Sequence, residues 1–318
     1  ELNPEDHPVV AERGKPRLGT LRRAVSEAGN NDVITFDLPS YPGLIRLNSN
    51  LGPIELRRNL TLKGPGADLL TLSGDTRGDR NPATQTRIFT VLARVTLEGL
   101  TLADGYAVSG GAVSVGPTGT LRLRYCAVVD SKAIQWGGAI DVDGGRLEVA
   151  NSLFRGNQTD TSLGLGGGAI AIFTTEPCSI VNSTFSANRQ AGQNGFGGGA
   201  VYVEANDPSD FLDVEVLHCT FAENNDLAQR GSSIVVNVLN TMVRVRNSVF
   251  ADGRQRNLGV QGTGQIVSGG GNVSDDSTRA ILTQGGVPKS IILLDKSSDR
   301  TATPPLLGAF DSRGLKPV

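Results

Sequence analysis

At 318 residues the chain is long enough for one or two domains or for a single elongated solenoid. Thirty basic residues against 32 acidic ones, spread along the chain, leave a formal charge of -2, and a nucleic-acid surface would need a basic excess or stripe. No apolar run is long enough to span a bilayer, and with two histidines, His7 and His218, a zinc site is not expected.

Glu1 opens the chain without a methionine or a signal peptide, as a mature or trimmed form would. Thr20 to Ala28 is predicted as a helix: Leu21, Ala24, Val25 and Ala28 share one face, and Gly29-Asn30 stops it. Lying across the first coil, it would cover strand backbone that other chains could otherwise pair with. Strands are predicted at Val33–Phe36, Leu44–Leu47, Leu60–Leu62 and Phe89–Val91.

From Val95 a β-rich phrase recurs: VTLEGLTL at Val95, LRLRYCAV at Leu121, LEVANSLF at Leu147, CSIVNSTF at Cys178, VEVLHCTF at Val214 and VRVRNSVF at Val243. The starts lie 26, 26, 31, 36 and 29 residues apart, a spacing typical of stacked repeats and too short for separate domains. Positions one and three of each phrase are apolar and positions two and four mostly polar, the signature of a strand with one face in a core. Parity then shifts, so the chain turns a corner into a second strand ending in Leu102, Val128, Phe154, Phe185, Phe221 and Phe250. A third strand follows, usually behind a glycine pair, at Val113–Val115, Ile140–Val142, Ile170–Ile172, Val201–Val203 and Ile234–Val236.

Three short strands per unit, with like residues in columns, predict an all-β fold: a right-handed parallel β-helix solenoid of roughly eight coils with an N-terminal capping α-helix. The handedness follows from the general rule for parallel crossovers. The whole chain reads as one domain, with 1–53 as cap and first strands, 54–270 as regular coils and 271–318 as a C-terminal wrap that includes Pro304 to Gly308.

In the column Gly105, Ser131, Asn157, Asn188, Asn224, Gly253, the three asparagines are read as an internal asparagine ladder, at a bend where asparagine tolerates left-handed backbone. Cys126 and Cys219 share a column three coils apart, about 14 Å at a strand spacing of about 4.8 Å, and Cys178 lies in another, so free core thiols are expected. Arg122 with Glu148 and Glu215 with Arg244 are expected to pair across the first strands. The Asn-x-Ser/Thr triplets at Asn59, Asn157, Asn182 and Asn272 are not expected to carry glycans.

GTLRRAV at Gly19, DVITFDL at Asp32, NLTLKGPGADLLTLSGD at Asn59 and the NSLF/NSTF phrases together resemble the CSLREAI-type repeats of bacterial extracellular β-helix proteins, related to polymorphic outer-membrane proteins and to choice-of-anchor β-helix proteins. The resemblance covers roughly residues 17 to 310, with Thr20 where the pattern has Ser, Arg23 where it has Glu, and no C-terminal anchoring segment. It implies an exported bacterial protein, extracellular or on the cell surface and often adhesive, and supplies no catalytic motif.

Long excursions at Asn157–Gly166, Asn188–Gly197 and Ala205–Asp213 flank the third strand and are expected to wall a groove along that sheet. Its outer face would carry Asp141, Tyr202, Asp143, Phe173 and Glu204, with Trp136 at the approach and Phe196 and Phe211 on the loops. Rings beside carboxylates suit a sugar chain, since rings stack on apolar sugar faces while carboxylates accept from hydroxyls; the same phenylalanines would equally serve to pin the loops. Asp141, Tyr202, Glu204, Phe173 and Trp136 are therefore the expected ligand contacts.

The function expected is a non-catalytic surface or adhesive protein that binds polysaccharide or cell-surface glycan. A polysaccharide lyase or glycoside hydrolase using the same groove is the competing class, with Arg189, Lys132, Asp141 and Asp143 as candidate catalytic groups and Arg155 and Arg230 nearby. A structural rod with protein partners is the third. No cofactor is expected; Ca2+ is the one metal the same-column carboxylates Asp104/Asp130 or Glu223/Asp252 could share.

Overall fold

A computed structural model describes residues 9–12, 20–160, 162–207, 209–237, 240–252, 256–262, 264–276, 279–284, 287–292 and 296–302. The Pro304–Gly308 segment and Gly253 lie outside the described residues.

The chain winds as a parallel β-helix. Its first sheet stacks strands from Asp32–Phe36 through Leu60–Lys63, Arg94–Glu98, Thr120–Arg124, Arg146–Ala150, Cys178–Val181, Leu212–Leu217 and Thr241–Arg246 to Gln265–Ser268, all parallel. The second runs from Gly43–Arg46 to Val273–Ser274 and the third from Ile54–Leu56 to Leu258–Val260. Eight coils are complete, and a ninth contributes to the first two sheets only. The repeat phrases fall in register as read: Leu121 pairs with Val95 and Leu147, and Cys178 with Val214.

Period-2 alternation explains the core. Leu97, Leu123, Val149, Ile180, Val216 and Val245 point inward, fully or almost fully buried, while Arg122, Glu148 and Glu215 face water. Phe154, Phe185, Phe221 and Phe250 stack ring on ring, with centroids 4.7, 4.9 and 5.2 Å apart. Such offset pairs contribute about 0.5–1.5 kcal/mol each beyond area burial. The three cysteines are free and buried.

The helix spans Leu21–Glu27, begins on a Thr20 cap whose hydroxyl accepts from the Arg23 N–H, and buries Leu21 and Val25 in the core. Arg22 ties it to the first coil by donating to the carbonyls of Gly52 and Pro53. A strand outside the sequence reading, Val9–Glu12, pairs antiparallel with Asp32–Phe36 and closes the open edge of the first sheet. Beyond the last coil the repeat gives way to an antiparallel hairpin, Arg279–Gln284 with Val287–Ile292.

Several expectations need correction. Each middle coil has a fourth strand, at Tyr106–Ser109, Lys132–Trp136, Gln158–Thr159, Arg189–Gln190 and Asn225–Asp226, forming a separate sheet between the second and third. The last three of these are two residues each, too short to show a period. The asparagine ladder exists, but the left-handed residues are those before it: Asp104, Asp130, Gly156, Ala187 and Glu223. It continues past Asn224 through Asp252, which accepts from the Asn224 N–H and Nδ2, to Asn257, which accepts from the Asp252 N–H and donates to the Phe250 carbonyl. Arg122 bonds Glu148 at 2.8 Å as expected, whereas Arg244 turns diagonally to Asp213 at 3.0 Å instead of to its register partner Glu215.

Candidate functional site

The third sheet is where chemistry-bearing side chains gather. Its in-register pairing sets Thr90, Ser114, Asp141, Ala171, Tyr202 and Val235 in one row, and Asp143, Phe173, Glu204 and Asn237 in a second. Residues between them, such as Ile140, Val142, Ile172 and Val203, are core, so both rows belong to the outer face. The glycine pairs bring the fourth sheet close to that face. Gly137, Gly167 and Gly198 hold φ of 55°, 68° and 77°, and a Cβ on Gly138 would meet the Gly168 carbonyl at 2.2 Å.

One half of the face is aromatic. The Trp136 ring lies 4.7 Å from Phe173, edge to face, 5.7 Å from Phe196, stacked, and 5.1 Å from Tyr202. Phe196 tops the cluster at 41% exposure, its loop strapped to the preceding one by the Phe196 N–H donating to the Leu165 carbonyl. The ring and backbone contacts of Phe196 thus pin its loop over this face. Tyr202, expected as a direct contact, is instead the floor, with 0% exposure. Its hydroxyl donates to Glu204 Oε2 and accepts from Asn237 Nδ2 at 2.8 Å. Glu204 and Asn237 are half-buried at the rim, and Phe211 is exposed on its loop.

The other half is polar and poorly satisfied. Asp141 is only 8% exposed, and its Oδ1 has no hydrogen-bond partner. Burial, then the charge of Asp143, push its carboxyl up to about 7, with Arg87 pulling the other way. Arg87 spends its donors elsewhere: Nε to the Gly110 carbonyl at 3.0 Å, Nη2 to the Ser109 carbonyl at 2.6 Å and Nη1 to the Thr90 hydroxyl at 3.4 Å. Asp143, two residues along the same strand, is exposed.

Arg87 is the residue the sequence reading missed. The pairing of Phe89 with Val113 and of Val113 with Ile140 puts it in the column that later coils fill with Gly111, Gly138, Gly168 and Gly199. A lone arginine in a glycine column was the available signal.

The remaining candidates sit apart. Lys132 and Arg189 align through Gln158 in the fourth sheet, not on the third-sheet face. Lys132 is paired with Asp160 at 3.2 Å, and Asp160 is held down at about 2, chiefly by hydrogen bonds from Ser162. Arg189 is half-buried. Asp104 and Asp130 do share a cation, and it is the Arg80 guanidinium, at 3.3 and 2.9 Å. Glu223 and Asp252 do not form a pair: Glu223 occupies the left-handed column, and Asp252 is buried in the ladder. Among the described residues no group of three or more metal-ligating side chains comes together.

Compared with protein-family models, curated proteins and solved structures, the chain has no significant match. The reading of the site therefore rests on its own geometry.

Proposed function

We propose that the protein binds a neutral polysaccharide along the outer face of its third sheet, as an extracellular or surface-associated bacterial protein. The observation that carries this is the aromatic shelf: Trp136, Phe173 and Phe196 packed ring against ring over an in-register sheet, with Glu204 and Asn237 at its edges. Partly exposed rings offer flat apolar area to sugar faces, and the flanking groups accept from or donate to hydroxyls. Neutral chains are favoured because the carboxylates of Asp143 and Glu204 edge the face, while the nearby Arg87 directs its donors to Ser109, Gly110 and Thr90. A polyuronate would meet like charge there. For the same reason a lyase acting on uronates is the less supported enzyme, since it needs a free base and Lys132 is tied to Asp160. The resemblance of the GTLRRAV, DVITFDL and NSLF/NSTF phrases to exported β-helix proteins supports the extracellular setting.

Affinity electrophoresis in gels containing β-1,4-xylan, mixed-linkage β-glucan, galactomannan, polygalacturonate or hyaluronan tests the reading. Retardation by at least one neutral polymer, lost in Trp136→Ala, is the expected result. Retardation confined to the acidic polymers, or unaffected by Trp136→Ala, would refute the choice of ligand or of face.

A further inference from the structure

The polar half of the third sheet has features that binding alone does not need. Asp141 combines near-complete burial with an unpartnered oxygen, an arrangement that costs stability and that the fold does nothing to relieve. The asparagine ladder is treated differently: Asn188 and Asn224 have their amide groups hydrogen-bonded on every side. A buried carboxyl with an unpartnered oxygen beside a second, exposed carboxylate is the kind of environment that separates an acid from a base. Two residues apart on one strand, Asp141 and Asp143 share a face with their Cα atoms about 6.6–6.8 Å apart, a backbone spacing from which two carboxyl groups can reach the separation of about 6.5–9.5 Å that leaves room for a water between acid and base.

We propose that Asp141 and Asp143 are the general acid and general base of an inverting hydrolysis of the neutral glycan bound on the neighbouring aromatic shelf. This rests on the glycan-binding reading. A chain lying along the stack would pass between the two rows, with Asp141 on one flank and Asp143 on the other. Asp143 pairs in register with Phe173 of the shelf, a step of about 4.8 Å along the stack that is close to the length of one pyranose residue. In the reaction, Asp143 takes a proton from a water whose oxygen forms the new bond to the anomeric carbon. The bond from that carbon to the glycosidic oxygen breaks, and Asp141 delivers its proton to the departing oxygen. Asp141 then regains a proton from solvent and Asp143 returns one, so water is the only co-reactant.

The charged groups that act on Asp141 are Asp143, on its own strand, and Arg87, on the loop entering Phe89–Val91. Burial and Asp143 keep the proton in place up to about pH 7, so the rate falls on the alkaline side as Asp141 ionises.

The test incubates wild type, Asp141→Asn and Asp143→Asn with β-1,4-xylan, mixed-linkage β-glucan and galactomannan, and reads reducing ends, product anomer by NMR and gel retardation together. Wild type is expected to shorten one of these polymers with inverted product, and both variants to lose at least about 100-fold in rate while still being retarded. Retardation without shortening overturns the hydrolysis and leaves the binding reading standing. A retained anomer, or wild-type rate in Asp141→Asn, overturns the assignment of these two residues. Absence of retardation by all three polymers removes both.

Discussion

The asparagine ladder and the outer face of the third sheet both bury polar side chains, and they treat them in opposite ways. In the ladder Asn188 Oδ1 accepts from the Asn157 backbone N–H at 3.1 Å and from Asn157 Nδ2 at 3.0 Å, while its own Nδ2 donates to the Phe154 carbonyl and to Asn224 Oδ1, each at 2.9 Å. On the third sheet Asp141 has a buried oxygen with nothing to accept from. A satisfied buried network holds a fold together, and an unsatisfied buried charge weakens it. The first is architecture; the second asks for a use.

The comparison breaks first at the ladder. Asn188→Leu leaves the Asn157 N–H, the Phe154 carbonyl and one face of Asn224 without partners in the core. At about 1–3 kcal/mol for each stranded group, a loss of roughly 3–5 kcal/mol in a urea titration is expected. A loss below about 1 kcal/mol would mean that the ladder is ornamental and the contrast empty.

Next comes Tyr202→Ala. Had Tyr202 been a surface contact, the change would have left folding nearly intact. With its ring buried against Trp136, Phe173 and Phe196 and its hydroxyl bonded to Glu204 and Asn237, the expected cost is about 3–5 kcal/mol. A stable variant with normal unfolding midpoint would place the ring outside the packed cluster.

Asp141→Asn should move stability the other way. The Asp141 carboxyl is raised from 3.8 to about 7, so the native state binds more protons than the unfolded chain between those values, and stability falls as pH rises through them. Removing the charge should recover up to about 4 kcal/mol at pH 8, and little at pH 4. Asp252, pushed up to about 6 by burial, slopes in the same direction, so the wild type and the variant are compared at each pH rather than across pH. Equal midpoints at pH 8 would show that the Asp141 carboxylate is solvated after all, and the case for an acid poised at that site would go with it.

How much of this the sequence showed depends on how regular each element is. Columns that repeat through the core, such as Leu97, Leu123, Val149 and Ile180 or the Phe154–Phe250 stack, could be read because burial imposes one residue type on every coil. The fourth strands, of which Gln158–Thr159 and Arg189–Gln190 are two residues each, could not, because strands that short and polar carry no period. The site was half legible. The outward row of Asp141, Tyr202 and Glu204 followed from parity, but parity cannot tell a side chain in water from one roofed by a loop. Phe196 reaches over Tyr202 only because the 157–166 and 188–197 excursions pack against each other, through bonds such as that from the Ala191 N–H to the Thr159 hydroxyl. Arg87 was lost for a different cause: it is a single exception in a column, and periodic reading discards exceptions.

Phe196 is where the smallest structural effect should meet a clear functional one. It is 41% exposed, stacks on Trp136 at an interplanar angle of 19°, and sits on a loop whose backbone is held by the Leu165 and Gly197 strapping rather than by its ring. Phe196→Ala should therefore cost no more than about 1 kcal/mol of stability. It should nevertheless weaken retardation by neutral polysaccharide, because it strips the outermost ring from the shelf while the floor of Tyr202 and Trp136 stays in place. If retardation is unchanged while Trp136→Ala abolishes it, sugars contact the Trp136 face from the Asp141 side. The polar and aromatic halves would then form one continuous site. If both variants bind as wild type does, the rings serve only to pin the loops, and the outer face of the third sheet is packing with one misplaced carboxylate.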